Sequence, residues 1–496
     1  MASLFTFESL HRAWLDCRRR KRGKPAALAF EANGEEELLD LASELASRTY
    51  RPSPSFCFVA RNDKYREVFA ARFRDRVVHH LLVRELEKIW EPVFIHDSYA
   101  CRRGKGTHAA VKRLQTFMRR ATANGTRRAW FAQLDIRSFF PSIDRPLLLE
   151  FVQSRLHSEE FRWLAEVIIS HDPATDPVFT CSREKWCKIP NGKSLFSVPP
   201  GKGLPIGNLT SQFFANMYLN PLDQFVKHAL KAKYYIRYVD DMILVHEERR
   251  VLETWVVRIE DFLQNRLLLE LHPIRRIIRP VNNGADFVGY IVRPSHLLVR
   301  RKTVDRFKAA IGSHSKKVLG KKDGNVFLSF PPVGYQQLHA TIQSYFGLFR
   351  HASSKRLYDS MFTRNPWLEF LFERRGDKLR QRWVFPGKPA DLRTQFGFFR
   401  RRFRGVILFQ VGRYFELFDR DAVWASAAFA MTSIAARPGF YARCGVHRMR
   451  CWLMIKRLMA VQRDILVVAQ TGMPHGSLKA RMGVALFFTQ LCPKQD

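Results

Sequence analysis

Acidic residues are scarce in this chain: 46 Asp and Glu stand against 83 Lys and Arg in 496 residues, a formal charge of +37. Solubility requires far less, and the excess matches what counterion release from a polyphosphate partner would exploit, so nucleic acid is the leading partner class. A membrane surface also attracts such charge, but here the basic residues are spread along the whole chain and do not form one juxtamembrane cluster. Cysteine is also sparse, at eight residues. The closest pairs, Cys181 with Cys187 and Cys444 with Cys451, have no matching second pair or His cluster, which argues against a disulfide framework or a zinc site and for reduced structural thiols. No run of about 18 apolar residues is present, as a membrane helix would need. The N-terminal MASLFTFESLHRAWLDCRRRKRGK places its basic run after the apolar residues, the reverse of a secretory signal, and the expected location is cytoplasmic. No GxxxxGK[ST] loop, internal repeat or low-complexity tract occurs.

What the chain does have is core material: 46% hydrophobic residues and 41 Phe. A chain of this length divides into two to four units. Residues 1–60 read as a helical arm closed by the turn-forming RPSPS. REVFAARFRDRVVHHLLVRELEKIW begins as a strand and becomes a helix, and AWFAQLD is a strand that ends in an acid. The Pro- and Gly-bounded stretch at about 170–205 is a loop-rich insertion. FFANMYLNPLDQFVKHAL is helical, residues 300–380 are helical and basic, and FPGKPADL (385–392) reads as a linker. The last hundred residues alternate strand-like and helical segments and form a small domain of their own.

Two adjacent acids, Asp240 and Asp241, sit between apolar runs in YYIRYVDDMILV, at the tip of an expected β-hairpin. Half-buried acids need a partner to offset desolvation, and a hard divalent cation suits carboxylate oxygens. A third acid, Asp135, closes the strand FAQLD. The three form a candidate cage for two Mg²⁺ ions roughly 3.5–4 Å apart, the arrangement nucleotidyl transfer uses. Strand alternation sends Asp240 and Asp241 to opposite faces, so Asp240 is expected to face Asp135 directly. A solvated Asp-rich turn is the competing reading of the pair.

These residues fall within an ordered set of motifs. LDIRSFFPSID, GKGLPIGNLTSQFFANMYLNPLD, YVDD, DFVGY (286–290) and SYFGLFRHA (344–352) appear in the order found in reverse transcriptases, which residues 1 to about 360 resemble. The resemblance implies an α+β right-hand polymerase. An N-terminal arm and fingers would span 1–128, a palm with an antiparallel sheet 129–297, and a helical thumb 298–384. It implies catalysis and metal binding by Asp135, Asp240 and Asp241, with Mg²⁺ as cofactor and Mn²⁺ as a substitute. It also implies a steric gate at Phe140 that favours deoxynucleotides, and triphosphate grip by Lys64 and Arg66, where a guanidinium fork suits phosphate oxygens. Core packing is the bland reading of Phe140, and a solvated basic face that of Lys64 and Arg66. Where the family usually has a Lys near the leaving pyrophosphate, LHPIRRIIRP offers Arg275 and Arg276, which are poor proton donors. RNA template, DNA or RNA primer and dNTPs are the implied partners.

Within that family, Ile206-Gly207-Asn208-Leu209-Thr210-Ser211-Gln212 most resembles diversity-generating retroelements, as do ACRRGKGTHAA and RDRVVHHLL. Ile206, Gly207 and Gln212 are the implied contacts to the incoming nucleotide. Ile206 stands where many relatives carry Gln, and an aliphatic side chain cannot make an amide's hydrogen bonds. The implied activity is copying that errs at template adenines, with a small basic accessory protein as a candidate partner. Antiphage-defence and retron-type reverse transcriptases are the alternatives. A nucleic-acid-binding scaffold with a degenerate polymerase is a further rival, disfavoured because no motif acid is lost.

VILFQVGRYFELFDRDA (406–422), and more weakly the sequence onward to GSLKARM, resembles the N-terminal mismatch-recognition domain of MutS, giving a small mixed α/β accessory domain over 393–490. The Phe-x-Glu motif of that domain reads Tyr414-Phe415-Glu416 here. Tyr414 and Glu416 are implied nucleic-acid contacts, and Arg400, Arg401 and Arg402 in FFRRRFR interleave with aromatics as nucleic-acid-binding segments do. A domain that keeps only the fold, with Tyr414 packed and Glu416 a surface acid, is the alternative.

Overall fold

The computed structural model describes residues 3–61, 65–190, 192–322, 325–376, 378–386, 391–475 and 478–488. The chain forms two compact units, Met1–His296 and Leu297–Asp496, each mixing helices and strands.

In the first unit three helices, Phe7–Arg18, Pro25–Ala32 and Gly34–Ala46, precede the strands. Thr6 caps the first by accepting from the Ser9 amide, and Pro25 opens the second, where its missing N–H costs nothing. The hairpin β1 (Phe56–Arg61) and β2 (Tyr65–Ala70) follows, and the sequence then turns helical over Phe73–Trp90. The central sheet contains β3 (Trp130–Ile136), while β4 (Val178–Phe179) from the insertion pairs in parallel with β1. With β5 (Tyr234–Tyr238), β6 (Asp241–His246) and β7 (Leu271–Pro280), β3 builds an antiparallel sheet of order β5-β6-β3-β7. Its alternation separates two faces. Ala132, Leu134, Ile136, Met242 and Leu244 enter the main core beneath the helices Phe73–Trp90 and Leu209–Gln224. Gln133 and Asp135 point to the other face. A short hairpin of β8 (Ala285–Phe287) and β9 (Tyr290–Val292) turns through Val288 and Gly289, both at positive φ.

The second unit opens with β10 (Leu297–Val299) and the helix Arg301–Val318. The hairpin of β11 (Leu319–Lys322) and β12 (Asn325–Ser329) follows, then the helices Pro332–Phe349 and Lys355–Arg364 and a small hairpin of β13 (Phe372–Arg375) and β14 (Lys378–Gln381). After the helix Leu392–Arg400 come β15 (Val406–Val411), β16 (Tyr414–Phe418), β17 (Arg443–His447), β18 (Ile465–His475) and β19 (Leu478–Phe487). They join one mixed sheet of order β11-β12-β19-β18-β15-β16-β17. The stretch expected to be a helical thumb, 298–384, also contributes two strands to the sheet of the segment 393–490. Val326 and Phe327 within Asn325–Ser329 are β-formers. Phe327 then stacks on Phe487 across the β12–β19 pair. Val406–Phe409 is buried on both faces, as a central strand flanked by helices requires.

Gly207 ties the segment before the helix Leu209–Gln224 to β2. Its φ is +130°, and a Cβ there would lie 2.8 Å from the Phe69 carbonyl oxygen and 2.9 Å from Val68 Cγ1. The neighbouring Ile206 carbonyl accepts from the Phe69 amide at 2.9 Å. Gly207→Ala is expected to cost about 1–3 kcal/mol through backbone strain and overpacking. A melting temperature a few degrees lower is the expected reading in a thermal melt, and an unchanged one would contradict this account.

Candidate active site

The exposed face of the β5-β6-β3-β7 sheet carries the acids. Tyr238 pairs with Asp241, so Val239 and Asp240 form a two-residue turn. A turn residue does not obey strand alternation, and Asp240 and Asp241 both lie within electrostatic reach of Asp135. Gln133, on the same face, donates its Nε2 to the Asp286 carbonyl at 2.8 Å. Burial, then Asp135 and Asp241, push the Asp240 carboxyl up to about 7. Burial and Asp135 raise Asp241 to about 6. Both shifts reflect negative charge that is costly to hold in this place without a cation.

One cation is already there. Arg275 Nη1 donates to Asp135 Oδ2 at 2.6 Å. The donor set is three carboxylates, the chemistry a hard divalent ion prefers. Among the described residues, however, no group of three or more His, Cys, Asp or Glu converges at metal-holding spacing. Arg275 and a metal would compete for Asp135.

Beside the acids lies an open cleft lined by Asp135 and Asp240. It brings together Arg66, Asp135, Phe140, Ile206 and Asp240, all singled out from the sequence. Phe140 lines it, its ring centroid 5.4 Å from that of Phe139, and its carbonyl accepts from the Leu204 amide at 2.9 Å. Gly207 adjoins Ile206. Gln212 is exposed on the helix Leu209–Gln224 and does not line the cleft. Lys64 lies outside the described residues.

Sequence reasoning missed Lys193, Pro190 and His272, which also line the cleft. Lys193 and Pro190 belong to the insertion, read only as a loop. Buried Glu67 on β2 holds that loop, accepting from Ser194 Oγ at 2.6 Å and from the Leu195 amide at 2.9 Å. An acid in the otherwise apolar alternation of Tyr65–Ala70 was the available signal. Burial raises the Glu67 carboxyl above its ordinary range despite those two donors.

In the second unit the motif Tyr414-Phe415-Glu416 lies on β16. Its two outer residues are disposed opposite to the fold-only expectation: Tyr414 is half exposed and meets His447 edge to face, whereas Glu416 is 4% exposed. Arg437 holds the Glu416 carboxylate through two hydrogen bonds, at 3.0 and 3.2 Å, and Arg443 adds a third at 3.4 Å. Arg400 is likewise engaged, donating to Asp421 Oδ2 at 2.9 Å and to the Phe403 carbonyl at 2.6 Å. Arg402 stacks over Phe398 at 3.8 Å. Arg401 is exposed and lines a cleft with Arg393, Arg404, Arg420 and Tyr441.

Comparison with known proteins agrees with both units. Residues 54–273 match the family model "Reverse transcriptase (RNA-dependent DNA polymerase)", and residues 394–490 match "MutS domain I". Protein YkfC of Escherichia coli (strain K12) is 24% identical over 301 residues, 54% of this chain and 72% of that protein. Group II intron-encoded protein LtrA of Lactococcus lactis subsp. cremoris is 22% identical over 324 residues, 52% of this chain and 50% of LtrA. The uncharacterized 91 kDa protein in cob intron of Schizosaccharomyces pombe is 27% identical over 161 residues, 32% of this chain and 17% of that protein. The chain thus spans half or less of two of these three relatives. No helix among the described residues is long and apolar enough to cross a membrane. Residues 54–273, which hold the motif acids Asp135, Asp240 and Asp241, thus form a reverse transcriptase (RNA-dependent DNA polymerase) domain, and the C-terminal segment is MutS-like.

Proposed function

We propose that this protein makes cDNA on an RNA template by two-metal nucleotidyl transfer at Asp135, Asp240 and Asp241. The observation that carries this reading is the crowding of Asp240 and Asp241 near Asp135, with both driven toward protonation, beside a cleft that Asp135 and Asp240 line. Mg²⁺, or Mn²⁺ in its place, would bind these acids once Arg275 yields Asp135. The metals would supply Lewis-acid activation of the primer 3′-hydroxyl and neutralise the triphosphate. The chain's own residues have separate tasks. Arg66 and Lys64 grip phosphate oxygens, Lys193 adds a further positive charge to the cleft, and Phe140 closes the space a ribose 2′-hydroxyl would need. The basic surface holds template and primer in a location we take to be cytoplasmic.

Ile206 lies in the cleft with Phe140. An aliphatic side chain offers the new base pair shape but no amide hydrogen bonds, which supports the diversity-generating reading of error-prone copying at template adenines, with Gly207 and Gln212 completing the motif. A site built on hydrogen bonds discriminates more sharply than one built on apolar contact. Antiphage-defence or retron-type synthesis is the alternative role, and the intron-encoded relatives favour a retroelement RNA as template. In the C-terminal segment, exposed Tyr414 and the cleft containing Arg401 are the proposed nucleic-acid contacts. Arg400 would act there by shaping the cleft, Arg402 through its stack on Phe398, and buried Glu416 by holding Arg437 and Arg443. A small basic accessory protein would complete the assembly.

Replacing Asp240 and Asp241 together by Ala is expected to abolish Mg²⁺-dependent extension of a primed RNA template. Extension at the wild-type rate would sink the assignment. For Ile206, sequencing of cDNA made in vitro is expected to show errors concentrated opposite template adenine, and Ile206→Gln is expected to lower them by about tenfold. Uniformly accurate cDNA from the wild-type protein would remove the diversity-generating reading and leave the polymerase intact.

A further inference from the structure

The hairpin that carries Asp240 is strained. Val239, the first residue of its two-residue turn, sits at φ +56°, a region that β-branched residues avoid. Such a conformation persists only where its surroundings over-determine it. The surroundings here converge on Arg237, whose side chain has no exposed surface. Arg237 Nη1 donates to the Val239 carbonyl at 3.0 Å and to Asn216 Oδ1 at 3.2 Å. Nε and Nη2 fork onto Asp223, with distances of 2.8 and 3.0 Å from Nε and 2.6 Å from Nη2. Asp223 also accepts from the Tyr235 hydroxyl at 2.8 Å, and Asn216 Nδ2 donates to the Ala100 carbonyl at 2.8 Å. The Arg237 backbone is clamped as well: its amide donates to the Asp97 carbonyl and its carbonyl accepts from the Tyr99 amide, both at 3.0 Å.

One guanidinium therefore joins the helix Leu209–Gln224, which supplies Asn216 and Asp223, to the turn of the hairpin. The segment 97–100 fixes the same residue's backbone from another side. A buried ion pair is weak evidence for stability, since apolar residues of similar volume often serve as well. A fixed fork that reaches a carboxylate, an amide and a turn carbonyl together is a geometric device, and an ammonium cannot reproduce it.

We propose that Arg237 is the positioning residue of the acid-bearing hairpin, holding the Val239-Asp240 turn in its strained form so that Asp240 meets Asp135. The role rests on the polymerase reading above. Arg237 does not line the cleft, so its effect reaches the substrate only through the turn.

Two variants, assayed in the full chain by steady-state primer extension on a primed RNA template and by thermal melting, test this. Arg237→Lys keeps the charge beside Asp223 and loses the fork. The triple variant Asp223→Leu, Tyr235→Phe, Arg237→Met replaces the network with apolar groups and leaves the Val239 carbonyl without its donor. In each, kcat is expected to fall about 10- to 100-fold, the scale of a displacement near 1 Å. The KM for dNTP is expected to stay within about threefold, because the residues that grip the nucleotide are untouched. In the triple variant this loss should persist although the melting temperature returns toward that of the wild type. Wild-type kcat in Arg237→Lys, or recovery of kcat together with stability in the triple variant, would overturn the proposal. If the triple variant does not fold, Arg237→Lys decides alone. A folded wild-type protein that extends no primer would remove the polymerase reading and this proposal with it, whereas an active wild type with unaffected variants would remove only the positioning role.

Discussion

Like-charge repulsion among Asp135, Asp240 and Asp241 is the constraint to which the rest of the first unit answers. Three carboxylates on one side of a sheet, two of them deep enough to be pushed toward neutrality, are stable only if their positions are imposed from outside and their charge is met by a cation. The imposition comes from an apolar underside of the sheet sunk in the main core and from a turn held in a backbone conformation its own residue disfavours. The cation at hand is Arg275, a group that can compensate Asp135 without closing the cleft.

The acids and the cleft were legible because their chemistry is unusual in its setting: adjacent Asp residues between apolar strands, an acid ending a strand, an aromatic five residues on. The turn was less legible: Val239 and Asp240 are the two residues between paired Tyr238 and Asp241, a register that strand alternation alone does not give. Lys193 was hidden for a different reason. A loop's contribution to a site depends on what tethers it, and the tether, Glu67, lies 126 residues earlier in the chain. Arg237 was visible all along as a charged residue in the apolar run YYIRYV, but its neighbours in sequence say nothing of Asp223 or Asn216.

The C-terminal segment illustrates the limit of motif matching. Tyr414-Phe415-Glu416 keeps the spacing of the mismatch-reading motif, yet two arginines from elsewhere in the fold occupy the acid. Position along a strand is readable from a sequence. Whether a carboxylate is already spoken for is not, because Arg437 and Arg443 reach it from a loop and a neighbouring strand.

The β12–β19 pairing has a bearing on how the chain can be taken apart. Residues 385–392 look like a seam between modules, but the backbone hydrogen bonds of Asn325–Ser329 are completed by a strand from the far end of the sequence. A truncation at that seam would uncover an unpaired strand edge and the Phe327 ring that stacks on Phe487, a template for intermolecular pairing. The two sequence modules are thus one folding unit at this edge. Any loss of activity on removing the MutS-like segment would mix lost recognition with a newly exposed, adhesive surface.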